Sequence, residues 1–116
     1  MRSDTRSSTP DTDVIIALTT LPADADAEAF ARALVTERLA ACVSVAAPMT
    51  SIYRWKGAVE CGREHQIVVK TVRARLPLLA SRLATLHPYE VPELLALTAD
   101  GGGEAYLAWV RESTAG

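Results

Sequence analysis

One short segment of the sequence brings together several side chains that could bind a metal ion or move a proton. It reads TLHPYEVPELLAL from Thr85 to Leu97 and contains His87, Glu90 and Glu93. An imidazole and carboxylates are ligands for divalent cations, and an imidazole can also transfer a proton near neutral pH. The alternative is structural: His87 ends a helix, and the two prolines of the segment turn the chain.

Other catalytic patterns are missing from the sequence. The serines lack a GxSxG context, and the triple glycine at 101–103 lacks the Lys-Ser/Thr of a phosphate-binding loop. Cys42 and Cys61 form no CxxC pair, so we expect two reduced thiols. These observations predict a protein that is not an enzyme.

The composition limits the partners of the chain. A length of 116 residues with 49% hydrophobic and 22% charged residues is typical of one folded domain. Because the chain has 12 Lys and Arg but 14 Asp and Glu, it has no excess of positive charge, and we expect no nucleic-acid partner. No apolar run is long enough to cross a membrane, and we expect a cytoplasmic protein. We expect residues 1–12 to form a disordered tail and residues 13–116 to form a single domain.

The elements that position the candidate residues follow from hydrophobic periodicity. Val14–Thr20 is typical of a buried strand, and Asp24 or Asp26 can cap the amphipathic helix that follows it. A second amphipathic helix runs to about Leu86 or His87, a short strand follows at 93–99, and a last short helix completes the chain.

Between the first two helices the pattern predicts a long β-hairpin. Its turn lies at Trp55-Lys56-Gly57, where glycine allows a positive φ. Pro48 lacks an amide hydrogen and predicts a bend, and the irregular residues 61–64 predict a second bulge.

The resulting order, β-α-β-β-α-β-α, predicts an α+β fold of the ferredoxin-like, split βαβ type. Its four-stranded antiparallel sheet would carry two helices on one face. One small extra helix cannot cover the other face, so we expect self-association, with Tyr53 and Trp55 of the hairpin in the interface.

Four segments resemble the CutA divalent-cation-tolerance proteins. They are LAACVSVAAPMTSIYRWKGAVE (Leu39–Glu60), IVVKT (Ile67–Thr71), HPYEVPELLAL (His87–Leu97) and YLAWV (Tyr106–Val110). The resemblance extends from about Val14 to Arg111 and implies a tight homotrimer with the last helix near the interfaces, where Tyr106 and Trp109 would lie. It also implies a link to copper and other divalent cations, without an established reaction.

The metal site implied by the resemblance is incomplete in this sequence. Copper-associated bacterial relatives carry a Cys near the end of the first strand and a His-His pair before the Pro-Tyr. Here these places hold Thr19 and Leu86-His87, so one ligand of three remains. We therefore expect weak binding of Cu²⁺ or another divalent cation at His87, with Glu90 and Glu93 as partners.

Two rival functions use the same fold. A trimeric sensor similar to the PII proteins would bind an anion or nucleotide between subunits, with Lys70, Arg73 and Arg75 as donors. An acylphosphatase would need an arginine in the loop after the first strand, and Leu21-Pro22-Ala23 provides none.

Overall fold

The computed structural model describes residues 12–116; the predicted tail, except Thr12, lies outside the described residues. The elements occur in the predicted order: β1 (Val14–Pro22), α1 (Ala27–Thr36), β2 (Cys42–Val45), β3 (Met49–Trp55), β4 (Ala58–Val72), a 3₁₀ turn (Arg73–Arg75), α2 (Leu76–Leu86), β5 (Leu95–Thr98) and α3 (Glu104–Ser113). In residues 12–116, none of the helices is long and apolar enough to cross a membrane.

The strands form one antiparallel sheet in the order β2-β4-β1-β5, and β3 also pairs with β4. The 15-residue β4 pairs with β2 through its second half and with β3 through its first half. Because β2 and β3 lie along the same edge of β4, the five strands occupy the four positions of the predicted ferredoxin-like sheet. Pro48 lies in the gap between β2 and β3, which confirms the predicted bend.

Two helices cover one face of the sheet, and local sequence explains where they begin. Asp26 caps α1 by accepting a hydrogen bond from the Ala29 amide at 3.0 Å, and α2 carries Pro77 in its first turn. Their buried side chains pack on the inward side chains of β1 and β4, and together they form the main core: Ala17, Leu21, Ala27, Phe30, Leu34, Leu39, Ala40, Ile67, Val69, Leu79 and Leu83. Each large aliphatic side chain buried there contributes about 1.5–3 kcal/mol.

The opposite face of the sheet stays largely uncovered in the chain. Helix α3 protects only one end of it, where Val110 packs on Val14 and Val72. We call the remaining apolar surface the open face; strand register places its members side by side: Ile16, Leu18, Val68, Leu95 and Leu97. Leu95 and Leu97 are 58% and 56% exposed. This face has the apolar character that the sequence predicts.

The hairpin of β3 and β4 agrees with one prediction and corrects another. Lys56 and Gly57 have φ values of 50° and 83°, as a tight two-residue turn between twisted strands requires. The second bulge predicted at 61–64 is wrong, because the pairing runs regularly from Met49↔Glu64 to Trp55↔Ala58. A Cβ atom on Gly62 would lie 3.6 Å from the Tyr53 hydroxyl oxygen, which is an ordinary contact distance, so the regular pairing does not depend on a glycine at this position.

Candidate functional site

His87 lies at the end of α2, where the sequence predicts a helix terminus, and its side chain points into the protein. Its backbone is extended (φ −84°, ψ 135°), as the following proline favours, and the side chain is buried, with 7% of the residue exposed. The Nε2 atom hydrogen-bonds the Thr20 carbonyl oxygen, and Nδ1 accepts a hydrogen bond from the Tyr89 amide at 3.1 Å. Since the carbonyl can only accept and the amide can only donate, this geometry assigns the hydrogen to Nε2 and the acceptor role to Nδ1.

The imidazole of His87 makes a hydrogen bond to β1 that a neighbouring strand would otherwise make. Strand β5 pairs with β1 only over Ile15–Leu18, so the Thr20 carbonyl on that side has no partner in a strand. The Nε2–H of His87 supplies the donor, and Thr20 is itself only 4% exposed. Both ring nitrogens are therefore engaged, and a metal ion could bind Nδ1 only after the bond to the Tyr89 amide opens.

Tyr89, two residues after His87, joins the loop to β4. Its hydroxyl donates to Oε2 of Glu64 at 2.9 Å, and the Thr20 hydroxyl donates to the same oxygen at 3.2 Å. Burial, together with the hydrogen bond to the Glu64 carboxylate, raises the pKa of Tyr89 to about 12. The sequence gives no local signal for this network, because Glu64 and Tyr89 are far apart in the chain and meet only through the pairing of β4 with β1.

A cleft of about 650 Å³ lies between β3 and the loop that joins α2 to β5. Its walls come from the end of β1, from β3 and β4, and from that loop: Thr20, Met49, Ser51, Ile52, Tyr53, Trp55, Glu64, Pro88, Tyr89, Glu90, Val91 and Glu93. Glu90 and Glu93 therefore line one cleft together with Glu64. The His87 side chain points toward β1 and does not line the cleft. None of these lining residues is a lysine or an arginine.

The carboxylates of the cleft do not form a finished metal site. Within residues 12–116, no group of three or more His, Cys, Asp or Glu side chains is placed to hold a metal ion. Thr19, one of the two positions expected to weaken the metal site, is buried on the helix side of the sheet, and its hydroxyl has no hydrogen-bond partner. Leu86 packs against the main core. Both positions serve packing in this chain.

The predicted interface aromatics fall into two pairs. Tyr53 and Trp55 line the cleft and remain exposed. Tyr106 and Trp109 are exposed on α3, with ring centroids 5.5 Å apart. The second pair lies on the helix that packs over one end of the open face, so it continues the exposed apolar surface.

Two of the three predicted anion donors, Arg73 and Arg75, are engaged in contacts within the chain. Arg73 lies 3.9 Å from an Asp13 carboxylate oxygen and donates to the Thr98 hydroxyl. Arg75 donates from Nε to the Thr114 carbonyl at 2.8 Å and from Nη2 to the Gly116 carbonyl at 3.2 Å. Lys70 pairs opposite Ile16 in the sheet. The two guanidinium groups therefore anchor different segments, and they do not form an anion cradle together.

Comparison with known proteins gives consistent matches. The family model described as CutA1 divalent ion tolerance protein matches residues 15–113. The "Divalent-cation tolerance protein CutA" of Thermus thermophilus is 46% identical over 99 residues, covering 85% of this chain and 96% of that protein. "Protein CutA" of Homo sapiens is 43% identical over 101 residues, covering 87% of this chain and 56% of that protein. The crystal structure of CutA from Xylella fastidiosa has a TM-score of 0.84 at 38% identity, covering 89% of this chain and 99% of that chain.

Proposed function

Because this chain belongs to the CutA1 divalent ion tolerance family, we propose that it is a non-catalytic divalent-cation tolerance protein that acts in the cytoplasm as a homotrimer. One observation carries the cation-binding part of this proposal. The cleft is lined by Glu64, Glu90 and Glu93 and by no lysine or arginine, so its lining side chains favour positive charge.

Divalent metal ions such as Cu²⁺ bind weakly in this cleft, through the exposed carboxylates of Glu90 and Glu93. The affinity is low because the described residues offer no preformed set of three ligands, and the carboxylates must move together around the ion. His87 joins the site only if its Nδ1 atom releases the Tyr89 amide. Metal binding through His87 would then require a change in the conformation of the loop.

The homotrimer forms by burying the open face of the sheet. Leu95 and Leu97 expose more than half of their surface there, and Tyr106 and Trp109 extend the apolar area onto α3. Contiguous apolar surface of this kind is typical of contact sites between subunits. The outer edge of β5 also lacks a strand partner among the described residues, which leaves backbone groups for a neighbouring copy.

Calorimetry with Cu²⁺ tests the metal proposal. The wild-type protein is expected to give a saturable heat of binding, and the double variant Glu90→Gln with Glu93→Gln is expected to lose it. Glu104→Gln is the control, because Glu104 is an exposed carboxylate on α3 that does not line the cleft. Unchanged binding in the double variant refutes the site, and thermal stabilisation by nucleotides but not by Cu²⁺ favours the anion sensor instead.

Light scattering tests the assembly. The wild-type protein is expected to have the mass of three chains, and Leu97→Lys is expected to shift it toward the monomer, because a charge cannot be buried in an apolar interface without a partner. A wild-type monomer at micromolar concentration would contradict the trimer.

A further inference from the structure

We propose that the cleft binds a small organic cation, an ammonium or guanidinium group carried on a compact apolar body. The inference rests on the proposed function in placing positive charge in the same cleft, and it goes further by naming the chemical class of the ligand.

The polar lining of the cleft provides acceptors and negative charge. Glu90 and Glu93 come from the loop, and Glu64 comes from the opposite wall on β4. The Glu64 carboxylate accepts hydrogen bonds from the hydroxyl groups of Thr20 and Tyr89. The nearest arginine in sequence, Arg63, is directed elsewhere, since it donates to the Thr50 hydroxyl and the Pro48 carbonyl. A cationic group would therefore meet carboxylates from two sides.

The aromatic lining provides a second, independent attraction for an organic cation. Tyr53, Trp55 and Tyr89 all line the cleft. The faces of aromatic rings attract ammonium and guanidinium groups, with tryptophan the strongest of the three types. Trp55 already has a cation near its ring, because Nζ of Lys56 lies 5.6 Å from the ring centroid. A guanidinium group suits such a site well, because it stacks on aromatic faces and pairs with carboxylates through its edge.

The size of the cleft distinguishes an organic cation from a bare metal ion. A volume of about 650 Å³ lies within the usual range for small-molecule sites, roughly 300–1,000 Å³, and far exceeds the space of a single ion. A metal ion gains nothing from three aromatic side chains, whereas an apolar body that carries the charge would bury its surface against them and against Met49, Ile52 and Val91.

The test uses phenethylguanidinium as the probe and phenethylurea, which has nearly the same shape but no charge, as its control. Binding to the full chain is measured by calorimetry, and the indole N–H signal of Trp55 is followed by NMR. The guanidinium is expected to bind at least about tenfold more tightly than the urea. The variant Glu90→Gln with Glu93→Gln is expected to weaken binding by roughly two- to twentyfold, and Trp55→Leu by roughly three- to thirtyfold. Glu104→Gln and Trp109→Phe, which alter side chains outside the cleft, are expected to bind normally.

Three results would overturn the inference. The first is equal binding of the urea and the guanidinium, and the second is guanidinium binding that the cleft variants leave unchanged. The third is absence of probe binding up to millimolar concentration together with loss of the oligomer in Trp55→Leu, which would mean that a second copy of the chain fills the cleft. Cu²⁺ titrations on the same samples separate this proposal from the preceding one: metal binding without probe binding refutes only the organic ligand, and the reverse refutes only the metal.

Discussion

Replacing His87 with alanine should destabilise the protein even when no metal ion is present. The side chain is buried, and its two nitrogens satisfy the Thr20 carbonyl and the Tyr89 amide. The variant removes both hydrogen bonds and leaves the carbonyl at the end of β1 without a donor. The loop that forms one wall of the cleft also loses one of its attachments to the sheet, while the hydrogen bond from Tyr89 to Glu64 remains.

The expected loss follows from these contacts. A hydrogen bond in a folded protein contributes about 0.5–1.5 kcal/mol, and a buried acceptor left without a partner costs about 1–3 kcal/mol. The imidazole also packs against Tyr89, with ring centroids 4.8 Å apart. We therefore expect His87→Ala to lower the free energy of unfolding by about 2–4 kcal/mol.

Urea unfolding in the presence of a chelator measures this loss, at one protein concentration because assembly affects apparent stability. The matched control is His65→Ala, which removes a histidine whose Nδ1 atom is 2.8 Å from the Ala46 carbonyl at a partly exposed position. The control is expected to lose less than about 1 kcal/mol. A metal-free His87→Ala protein as stable as the wild type would refute the structural role and return His87 to the list of metal ligands.

Three further predictions concern other contacts. The side-chain hydrogen bond from Arg82 lowers the pKa of Glu37, so Glu37→Gln should lower the urea midpoint at pH 7, and this difference should vanish as the pH falls through the carboxylate range near pH 4 and below. The pKa of Tyr89 is raised to about 12, so the neutral side chain contributes stability that is fully present below the usual tyrosine pKa of about 10. This stability is lost as the pH rises through 12. Glu64→Gln should shift the tyrosinate absorbance of Tyr89 to lower pH, because the carboxylate of Glu64 helps to raise this pKa. Gly57→Ala should cost about 1–2 kcal/mol in urea unfolding, because alanine is strained at a φ of 83°.

The fold could be predicted because each of its elements has a local pattern. The apolar run of β1 and the leucine spacing of α2 indicate burial, and Pro48 marks the break between β2 and β3. The bulge expected near Gly62 was wrong for a reason that local sequence does not contain. Glycine in a strand can indicate a bulge, but here the first half of β4 pairs in regular register with the whole of β3, from Met49↔Glu64 to Trp55↔Ala58.

The candidate site could be predicted only in part. The helix end at His87 follows from the leucine stripe and the proline after it, and Glu90 and Glu93 lie in the same short segment. The role of Glu64 depends on which residues of β1 and β4 face each other, since Pro22 pairs with Glu64 in the final register. The direction of the His87 side chain depends on where β5 stops, which the sequence places only approximately.

The geometry of this loop separates two roles that lie only three residues apart. Pro88 follows an extended His87, so the imidazole faces the sheet while Glu90 lines the cleft. A variant of His87 would change cation binding by loosening the loop, even if the imidazole never touches the cation. A loss of copper binding in His87→Ala therefore identifies a ligand only if the metal-free variant keeps its stability, whereas a loss in Glu90→Gln, at an exposed side chain, points to direct contact.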